Sequence, residues 1–469
     1  MAGYIKNFLD EDYVNYAVYR TYQRLPHVLD SLGQTQRKIL YVMEKLPETK
    51  KVKTAEVYSF VYGQTQYLHG DASVFTVVEN LARSCSNNIN LLTEEGSFGY
   101  RTNKAAASPR YTSTRFSKAA RYIFNSIDKN IMFSQEFEGK PIEPQFLLPI
   151  LPVSLVNGYS AIAVGFASKF LSRDPNIIID RMIKALTYRK RKNSNWDKYE
   201  IEDIPPSSPF YTGAVRHDPN HIDPSAWVQT GTIKRASTRN IIEIKDLPPE
   251  GNRESYIKKL KRFQEKGIIK SYTEGCAKNT FKFQVKVTPD LWKKTDDEIM
   301  EILGLVERTV ENFTFLNPDG AADQTILKFN TSAEYLKHFI GLRQNFYQVR
   351  KDYQLDNLQQ EILVLKERIR FINMVNSGDI IITKRKKVDL EKELKDKDFI
   401  EIDSSMDHLL GMKMYALTEE NILKYEQGIK VKEKERDMLN QTSTEDMHIN
   451  ELNILKKGIQ SESKIKGFL

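Results

Sequence analysis

The residues of this sequence best suited to covalent chemistry are an arginine and the tyrosine that follows it, Arg110-Tyr111. A phenol oxygen can attack phosphorus, and a planar guanidinium can hold phosphate oxygens by paired hydrogen bonds. Pro109 disfavours helix at Ser108, so the pair follows a break in the chain. The small residues before the pair leave room for a bulky polymer. The alternative is a loop tyrosine that packs its ring and hydrogen-bonds its hydroxyl.

Two short helices precede the pair, and their spacing predicts a helix-turn-helix over residues 54–83. Ala55 to Tyr62 form the first helix, and Asp71 caps the second, which has apolar residues at helical spacing. A winged-helix domain would place this second helix in or near a DNA groove. His69 lies in the turn, where it either hydrogen-bonds a phosphate, relays a proton or has a structural role.

Basic residues accompany these elements and predict contacts with phosphate. Gln36, Arg37 and Lys38 crowd the start of a helix whose positions 39, 40 and 43 face inward. Backbone donors at a helix start together with cations suit phosphate binding, although most basic helix ends are simply solvated. Arg101 and Arg115 flank the Arg-Tyr pair on its two sides.

The composition permits nucleic-acid binding without demonstrating it. The 469 residues include 70 Lys+Arg and 62 Asp+Glu, a net charge of +8, and the length suggests about three domains. With only Cys85 and Cys276, a disulfide framework and a cysteine-rich zinc site are excluded, and a reducing cytoplasm is expected. The first residues lack the apolar core of a signal peptide, and no run reaches the roughly 20 apolar residues of a membrane span.

Two kinds of site have no counterpart in the sequence. It contains no Gly-x-x-x-x-Gly-Lys-Ser/Thr loop for nucleotide phosphates. The run Asp396-Lys397-Asp398 is interpreted as solvated surface, so no metal site is expected on this chain.

The remainder of the chain predicts an α/β region followed by long helices. Alternating strands occur at 228–233, 240–244 and 281–287. An apolar stripe predicts a helix over 333–376, and a second helical stretch starts at Glu419. These predict an antiparallel coiled coil that is capped by a small globule. The basic run 189–192 is interpreted as a solvated loop, with contact to flanking duplex as the alternative.

Several motifs in fixed order resemble the breakage-reunion region of type IIA DNA topoisomerases. They are Asn90-Leu91-Leu92, Gly96-Ser97-Phe98-Gly99, Ala106-Ala107-Ser108-Pro109-Arg110-Tyr111 and the Glu143-Pro144 to Pro152 series. The resemblance implies that Tyr111 is the nucleophile, that Arg110 stabilises charge on the phosphate and that His69 assists there. Ile162 falls on the isoleucine that wedges between base pairs and bends DNA; the alternative is a buried strand residue.

The resemblance also implies the architecture, an α+β multidomain protein. The expected parts are an N-terminal arm (1–24), a winged-helix DNA-cleavage domain (25–150), an α/β tower domain (151–332), a long antiparallel coiled coil (333–376 and 419–457), a small dimerising exit-gate domain (377–418) and a tail (458–469).

The sequence departs from the family pattern before the first basic helix. Ser31 replaces a glycine, and Gly33-Gln34 replaces Lys-Pro, so a lysine expected to touch DNA is missing. Lys51 and Lys53, slightly downstream, can compensate. Leu68 interrupts the family's histidine motif ahead of Gly70.

The resemblance covers the gate-forming half of the enzyme, and it therefore implies particular partners. We expect double-stranded DNA, a homodimer through the exit gate, and a separate subunit that carries the ATPase and Toprim modules and holds ATP and most of the Mg²⁺ contacts. This split resembles the medium subunit of T-even-type phage topoisomerases. Without a wrapping domain, relaxation and decatenation are expected rather than negative supercoiling. The alternative from another class is a non-enzymatic winged-helix architectural protein that dimerises through the coiled coil.

Overall fold

Helices dominate the first and last parts of the chain, and antiparallel strands dominate the middle. The computed structural model describes residues 5–6, 8–318, 325–402 and 405–466. It divides into two compact units, Met1–Arg343 with His448–Leu469, and Gln344–Met447.

The amino-terminal part of the first unit is mainly helical. After a π-helical turn at Phe8–Tyr13 come α1 (Val14–Arg24), α2 (Gln34–Glu44), α3 (Thr54–Thr65), α4 (Asp71–Ala82) and α5 (Lys118–Ile123). Two short antiparallel pairs accompany them, β1 (Val52–Lys53) with β2 (Ser113–Thr114), and β3 (Glu136–Phe137) with β4 (Lys140–Pro141). The two helices predicted over 54–83 are therefore present, and the first extends three residues beyond its predicted end.

Helices α2 to α5 pack on one large apolar core. Ile39, Leu40 and Met43 of α2, predicted to face inward, are at most 1% exposed. Val57 and Val61 of α3 and Val74 and Val78 of α4 lie in the same cluster. Helices α3 and α4 bury one stripe each and expose residues on the opposite face, whereas no residue of α2 is exposed.

A short helix and an exposed hairpin follow. Helix α6 (Val153–Asn157) leads into β5 (Tyr159–Ile162), which pairs with β6 (Ala167–Phe170). At the junction Gly158 has a φ of +81°, and a Cβ there would lie 3.1 Å from the backbone nitrogen of Ser172. The hairpin therefore leaves the core at a position that favours glycine.

Antiparallel sheets make up the middle of the chain. Helix α7 (Pro175–Arg189) precedes a three-stranded sheet in the order β13-β8-β7 and a four-stranded sheet in the order β11-β12-β10-β9. The strands are β7 (Val215–His217), β8 (Ala226–Thr230), β9 (Thr232–Arg235), β10 (Ile241–Asp246), β11 (Ile269–Glu274), β12 (Phe283–Val287), β13 (Val306–Val310), β14 (Phe313–Leu316) and β15 (Ile326–Phe329). The last two form a separate antiparallel pair.

The four-stranded sheet has its own apolar core. Ile242 and Ile244 of β10 lie opposite Val285 and Phe283 of β12, and all four side chains are fully buried. Three helices surround this second cluster: α8 (Arg253–Glu265), α9 (Pro289–Trp292) and α10 (Asp296–Ile302). Buried and exposed residues alternate along β12, which is the period-2 pattern that the sequence predicted for residues 281–287.

The second compact unit contains a pair of antiparallel helices and a small globule. Helix α11 (Ser332–Asn376) lies beside α14 (Glu419–Gln441), with Lys351 Nζ donating to Asn440 O at 2.9 Å and Lys366 paired with Glu433 at 3.2 Å. Between these helices come α12 (Lys387–Asp396), α13 (Asp407–Leu410) and a 3-10 turn at Met414–Leu417. Phe371, Leu394 and Leu409 are among the residues of its core.

The division between the units differs from the predicted limits of the coiled coil, 333–376 and 419–457. The first turns of α11 bury Tyr335, Leu336 and Phe339 in the large core of the first unit. Leu452 and Leu455 of α15 (Thr444–Lys466) lie in that same core. These helix ends therefore pack with a globular domain, and only the part between residues 344 and 447 forms the second unit.

Candidate active site

Tyr111 lies at the end of a tight turn and projects into solvent. Its backbone N–H donates to Ser108 O at 2.8 Å, and Pro109 occupies the second position of the turn, where its fixed φ is favourable. The Tyr111 side chain is 71% exposed, and Arg110 beside it is also exposed. Neither side chain has a hydrogen bond or ion pair with another residue in the part of the chain that the structure describes. Both are therefore available to a ligand.

The amino terminus of α3 holds this turn. Ala55 N donates to Pro109 O at 3.2 Å, and Thr54 N donates to Thr112 O at 3.1 Å. Thr112 Oγ1 also donates to Thr54 Oγ1 at 2.8 Å. The first amides of a helix have no partner within the helix, so the turn carbonyls satisfy groups that would otherwise be unpaired. The backbone of Tyr111 is thereby fixed while its ring is free.

Residues 95–113, here called the tyrosine loop, fold back on themselves. Glu95 and Ser113 exchange backbone hydrogen bonds at the root, and Ala107 N donates to Ser97 O at 2.9 Å. Gly99 has a φ of +92°, and a Cβ there would lie 2.8 Å from the carbonyl of Lys104. A side chain at position 99 would separate the two limbs of the loop.

His69 lies immediately before α4 and contacts the amino-terminal helix α1. Its Nε2 is 2.7 Å from Gln23 Nε2 and 3.3 Å from the hydroxyl of Tyr19, and its ring meets that of Tyr67 edge to face. No hydrogen bond or ring contact joins His69 to Tyr111 among the described residues. The structure places the imidazole on the surface and does not bring it into contact with Tyr111.

Ile162 lies at the end of β5 and is 80% exposed, so the alternative of a buried strand residue is excluded. Leaving a large apolar side chain at the tip of a hairpin has no benefit for folding. The base of the hairpin is rigidly held by Glu311, which accepts from Leu171 N at 2.7 Å and from Trp227 Nε1 at 2.9 Å. Arg173 donates to the same carboxylate at 2.9 and 2.6 Å.

Two residues predicted to contact DNA in α2 are buried, which corrects that prediction. Arg37 is 7% exposed and donates to both oxygens of Asp30, at 2.6 and 3.1 Å. Lys38 is 6% exposed, pairs with Glu143 at 2.7 Å and donates to Thr65 O at 2.7 Å. Burial raises the pKa of Glu143, and Lys38 opposes that shift. Because buried charges need partners inside the protein, these cations serve the fold.

Arg101 is the third predicted DNA contact that the structure contradicts. Its guanidinium is 3% exposed and pairs with Asp246 at 2.6 Å. It also donates to Phe210 O at 2.8 Å and to Leu247 O at 2.7 Å. All of its charge is used within the protein, between the tyrosine loop and the four-stranded sheet.

The remaining residues that were predicted to contact DNA differ in how far their side chains are exposed to solvent. Lys51 is exposed although it pairs with Glu95 at 2.7 Å, and Lys53 is exposed at the start of α3. Arg115 is half-buried. Gln36 is half-buried too, and its side-chain oxygen accepts from Gly33 N at 3.0 Å.

The sequence did not reveal two buried acidic residues that hold α2 and the Ile162 hairpin in place. Asp30 accepts from Arg37 and from Leu147 N at 2.9 Å, and Glu311 braces the hairpin of Ile162. Their partners are remote in sequence, so no local pattern marks them. Within the described residues, no group of three or more His, Cys, Asp or Glu side chains could hold a metal ion. None of the described helices combines the length and apolar character needed to cross a membrane.

A family model for the A subunit of DNA gyrase/topoisomerase IV matches residues 24–456. The chain belongs to this family. The match includes the turn with Tyr111, the hairpin with Ile162 and the whole of the second unit.

Individual relatives agree with the family assignment. DNA topoisomerase 2 of Penicillium chrysogenum is 27% identical over 94% of this chain and 29% of its own length. The DNA topoisomerase medium subunit of Enterobacteria phage T4 is 28% identical over 92% of this chain and 94% of its own length. The chain thus spans about a third or less of the eukaryotic relatives that it matches first, but nearly all of the phage protein.

A solved structure supports the fold. The DNA-binding, cleavage and re-ligation domain of Plasmodium falciparum topoisomerase II matches with a TM-score of 0.83 and 25% identity. The match covers 98% of this chain and 65% of that chain. The mixed helix and strand architecture is therefore that of a topoisomerase II cleavage domain.

Proposed function

We propose that this chain is the DNA-cleaving subunit of a type II DNA topoisomerase. The observation that carries the proposal is the exposed Arg110-Tyr111 turn, whose backbone is fixed on the start of α3 and whose two side chains have no partner among the described residues. Family membership supports it, because the relatives are named topoisomerases or topoisomerase subunits.

The chemistry is a transesterification. The phenol oxygen of Tyr111 attacks a backbone phosphorus, a bond forms between that oxygen and phosphorus, and the bond to the 3′ oxygen breaks. The phenol proton leaves to a base, and the 3′ oxygen takes up a proton. One phosphoester replaces another, so the step is reversible, and a 5′-phosphotyrosyl link conserves the bond for religation.

Arg110 and His69 assist at the same phosphate. The Arg110 guanidinium, which has no hydrogen bond or ion pair among the described residues, stabilises the developing charge on the phosphate oxygens. His69 reaches the phosphate once bound DNA releases it from Gln23 and Tyr19. Mg²⁺ and ATP belong to a partner subunit that carries the Toprim and ATPase modules.

The architecture can be assigned to the steps of strand passage. Helices α2 to α4 form a winged-helix DNA-binding domain, and the sheets of residues 151–332 form the tower. Helices α11 and α14 form the coiled coil, and the small core around Phe371 forms an exit gate where two copies meet. Ile162 wedges between base pairs, and Lys51, Lys53 and Arg115 contact phosphates.

The test is isolation of the covalent intermediate. The full chain, reconstituted with Mg²⁺ and its partner subunit, is incubated with duplex DNA and stopped with denaturant. Mass spectrometry of the adduct should locate a nucleotide on Tyr111, linked through a 5′ phosphate. DNA binding and bending without any adduct would instead support the non-enzymatic architectural protein. Relaxation and decatenation assays with ATP then measure the complete reaction.

A further inference from the structure

The tip of the tyrosine loop is fastened to the four-stranded sheet. Arg101 N donates to Asn279 Oδ1 at 2.9 Å, and Thr102 N donates to Lys278 O at 3.0 Å. The Thr102 hydroxyl donates to the same carbonyl at 2.5 Å. Lys278 and Asn279 lie at the tip of the hairpin formed by β11 and β12. Two successive residues of the loop are thus bound to two successive residues of the hairpin.

The side chain of Arg101 makes a second attachment at the end of β10. Besides its ion pair with Asp246, the guanidinium donates to the carbonyls of Phe210 and Leu247 and lies 5.2 Å from the centre of the Phe281 ring. A buried, fully paired guanidinium is held in one geometry, because leaving Asp246 or the carbonyls unpaired would be costly.

The hairpin tip is itself shaped for this contact. Lys278 has a φ of +46°, an uncommon conformation for a residue with a side chain. Thr280 N closes the turn by donating to Ala277 O at 2.8 Å. The turn directs the Lys278 carbonyl at Thr102, where it accepts two hydrogen bonds. A positive φ at a residue with a side chain costs free energy, so its presence at this contact indicates that the surrounding structure holds the turn in that conformation.

The two ends of the tyrosine loop are therefore held by different parts of the molecule. Its root, next to Tyr111, is bound to α3 and the large amino-terminal core. Its tip is bound to the sheet with the second core. The braces at Gly99 and at Ala107 stiffen the limbs between, so a displacement of the sheet is transmitted to the turn that carries Tyr111.

We propose that Arg101 is a positioning residue, which with Thr102 and Asn279 latches the tyrosine loop to the sheet and so sets the position of Tyr111. This proposal rests on the proposed function and specifies how the cleavage site is held. It replaces the interpretation of Arg101 as a phosphate contact. Through the latch, the position of the Tyr111 hydroxyl depends on the orientation of the four-stranded sheet.

Three variants weaken the latch in different ways. Arg101→Gln removes the ion pair, Thr102→Val removes a hydroxyl at constant shape, and Asn279→Leu removes the acceptor for Arg101 N. Asn279→Asp keeps that acceptor oxygen and serves as the rescue variant. Glu274 of the same hairpin forms an exposed ion pair with Arg253 of α8, and Glu274→Gln, which breaks that pair, is the matched control.

The full chain with its partner subunit is assayed for single-turnover DNA cleavage. We expect each latch variant to cleave at least about tenfold more slowly, because a displacement of an ångström at a reacting group can cost about a hundredfold. Asn279→Asp and Glu274→Gln should cleave at the wild-type rate. Hydrogen exchange should accelerate in residues 96–112 of the latch variants, while α3 and α4 remain protected.

DNA affinity separates the latch from a phosphate contact. Removing one phosphate contact lowers the slope of log K against log salt by about 0.9. Arg101→Gln should leave that slope unchanged, and a reduced slope would restore the DNA-contact role and overturn the latch. Wild-type cleavage in folded latch variants would also overturn it. If Arg101→Gln does not fold, Thr102→Val and Asn279→Leu decide the question.

The outcomes distinguish this proposal from the proposed function. No adduct at Tyr111 in the wild type would refute the function, and hydrogen exchange would still test the latch. An adduct in the wild type with unchanged cleavage in all three variants would refute only the latch.

Discussion

Replacing Ile162 by alanine should reduce DNA bending while leaving the fold intact. The side chain is 80% exposed at the end of β5, so its truncation should change the free energy of unfolding by less than about 0.5 kcal/mol. We expect the Ile162 side chain to contribute free energy only in the DNA complex, where it would move from water into the space between two base pairs.

The magnitude follows from the atoms removed. Isoleucine has three more side-chain carbons than alanine, and each buried carbon contributes about 0.8 kcal/mol, or about 2.4 kcal/mol together. The equilibrium between bent and straight DNA in the complex should therefore shift toward straight DNA by up to about 60-fold. Overall affinity should change less, because phosphate contacts are retained.

Fluorescence energy transfer between the two ends of a duplex measures the bend directly. Ile222 offers a matched control, since it is another fully exposed isoleucine of the same unit, at 103% exposure. Ile222→Ala should bend DNA as the wild type does. An unchanged transfer efficiency in Ile162→Ala would refute the wedge and leave the exposure of this side chain without a function.

Three further predictions concern stability and inhibition. Glu311→Gln leaves Arg173 buried without a counter-charge, so urea unfolding should show a loss of about 3–5 kcal/mol, and a loss below about 1 kcal/mol would contradict the bracing role. Burial lowers the pKa of His27 from 6.5 to about 4, so the stability held above pH 6.5 should fall by up to about 3 kcal/mol as the pH drops toward 4; His27→Gln should remove that part of the pH dependence. Ala72 and Thr76 lie exposed one turn apart on α4, where quinolone-sensitive relatives are expected to have a serine and an acidic residue. The wild type should accordingly need at least about a tenfold higher fluoroquinolone concentration than Ala72→Ser/Thr76→Asp for the same amount of trapped cleavage complex. Equal sensitivity of the two proteins would contradict the placement of α4 against DNA.

Local patterns predicted the elements well. The apolar spacing of α4 is a short-range feature, and the helix begins at Asp71; the prediction that Asp71 caps it was wrong, because Gly70 occupies the N-cap position and no side chain caps the helix. The long stripe predicted α11 to within one residue of its start and at its end, Asn376. The resemblance to the family pointed to the Arg110-Tyr111 turn and to Ile162, and the side chains of Tyr111 and Ile162 are exposed.

The charged residues could not be assigned from local sequence. Lys38 pairs with Glu143, and Arg101 pairs with Asp246, so whether each cation faces DNA or protein depends on folding together distant segments. The two compact units divide within α11, between Arg343 and Gln344. A continuous helix shows no local sign of where its partner changes from a globular core to another helix.

The central claim is that the Tyr111 hydroxyl is the nucleophile, and Tyr111→Phe tests it most directly. The variant loses one exposed oxygen, so folding and DNA affinity should match the wild type. With end-labelled duplex, Mg²⁺ and the partner subunit, the wild type should give a denaturant-resistant protein–DNA complex and the variant should give none. A covalent complex that persists at the wild-type level in Tyr111→Phe would contradict the assignment.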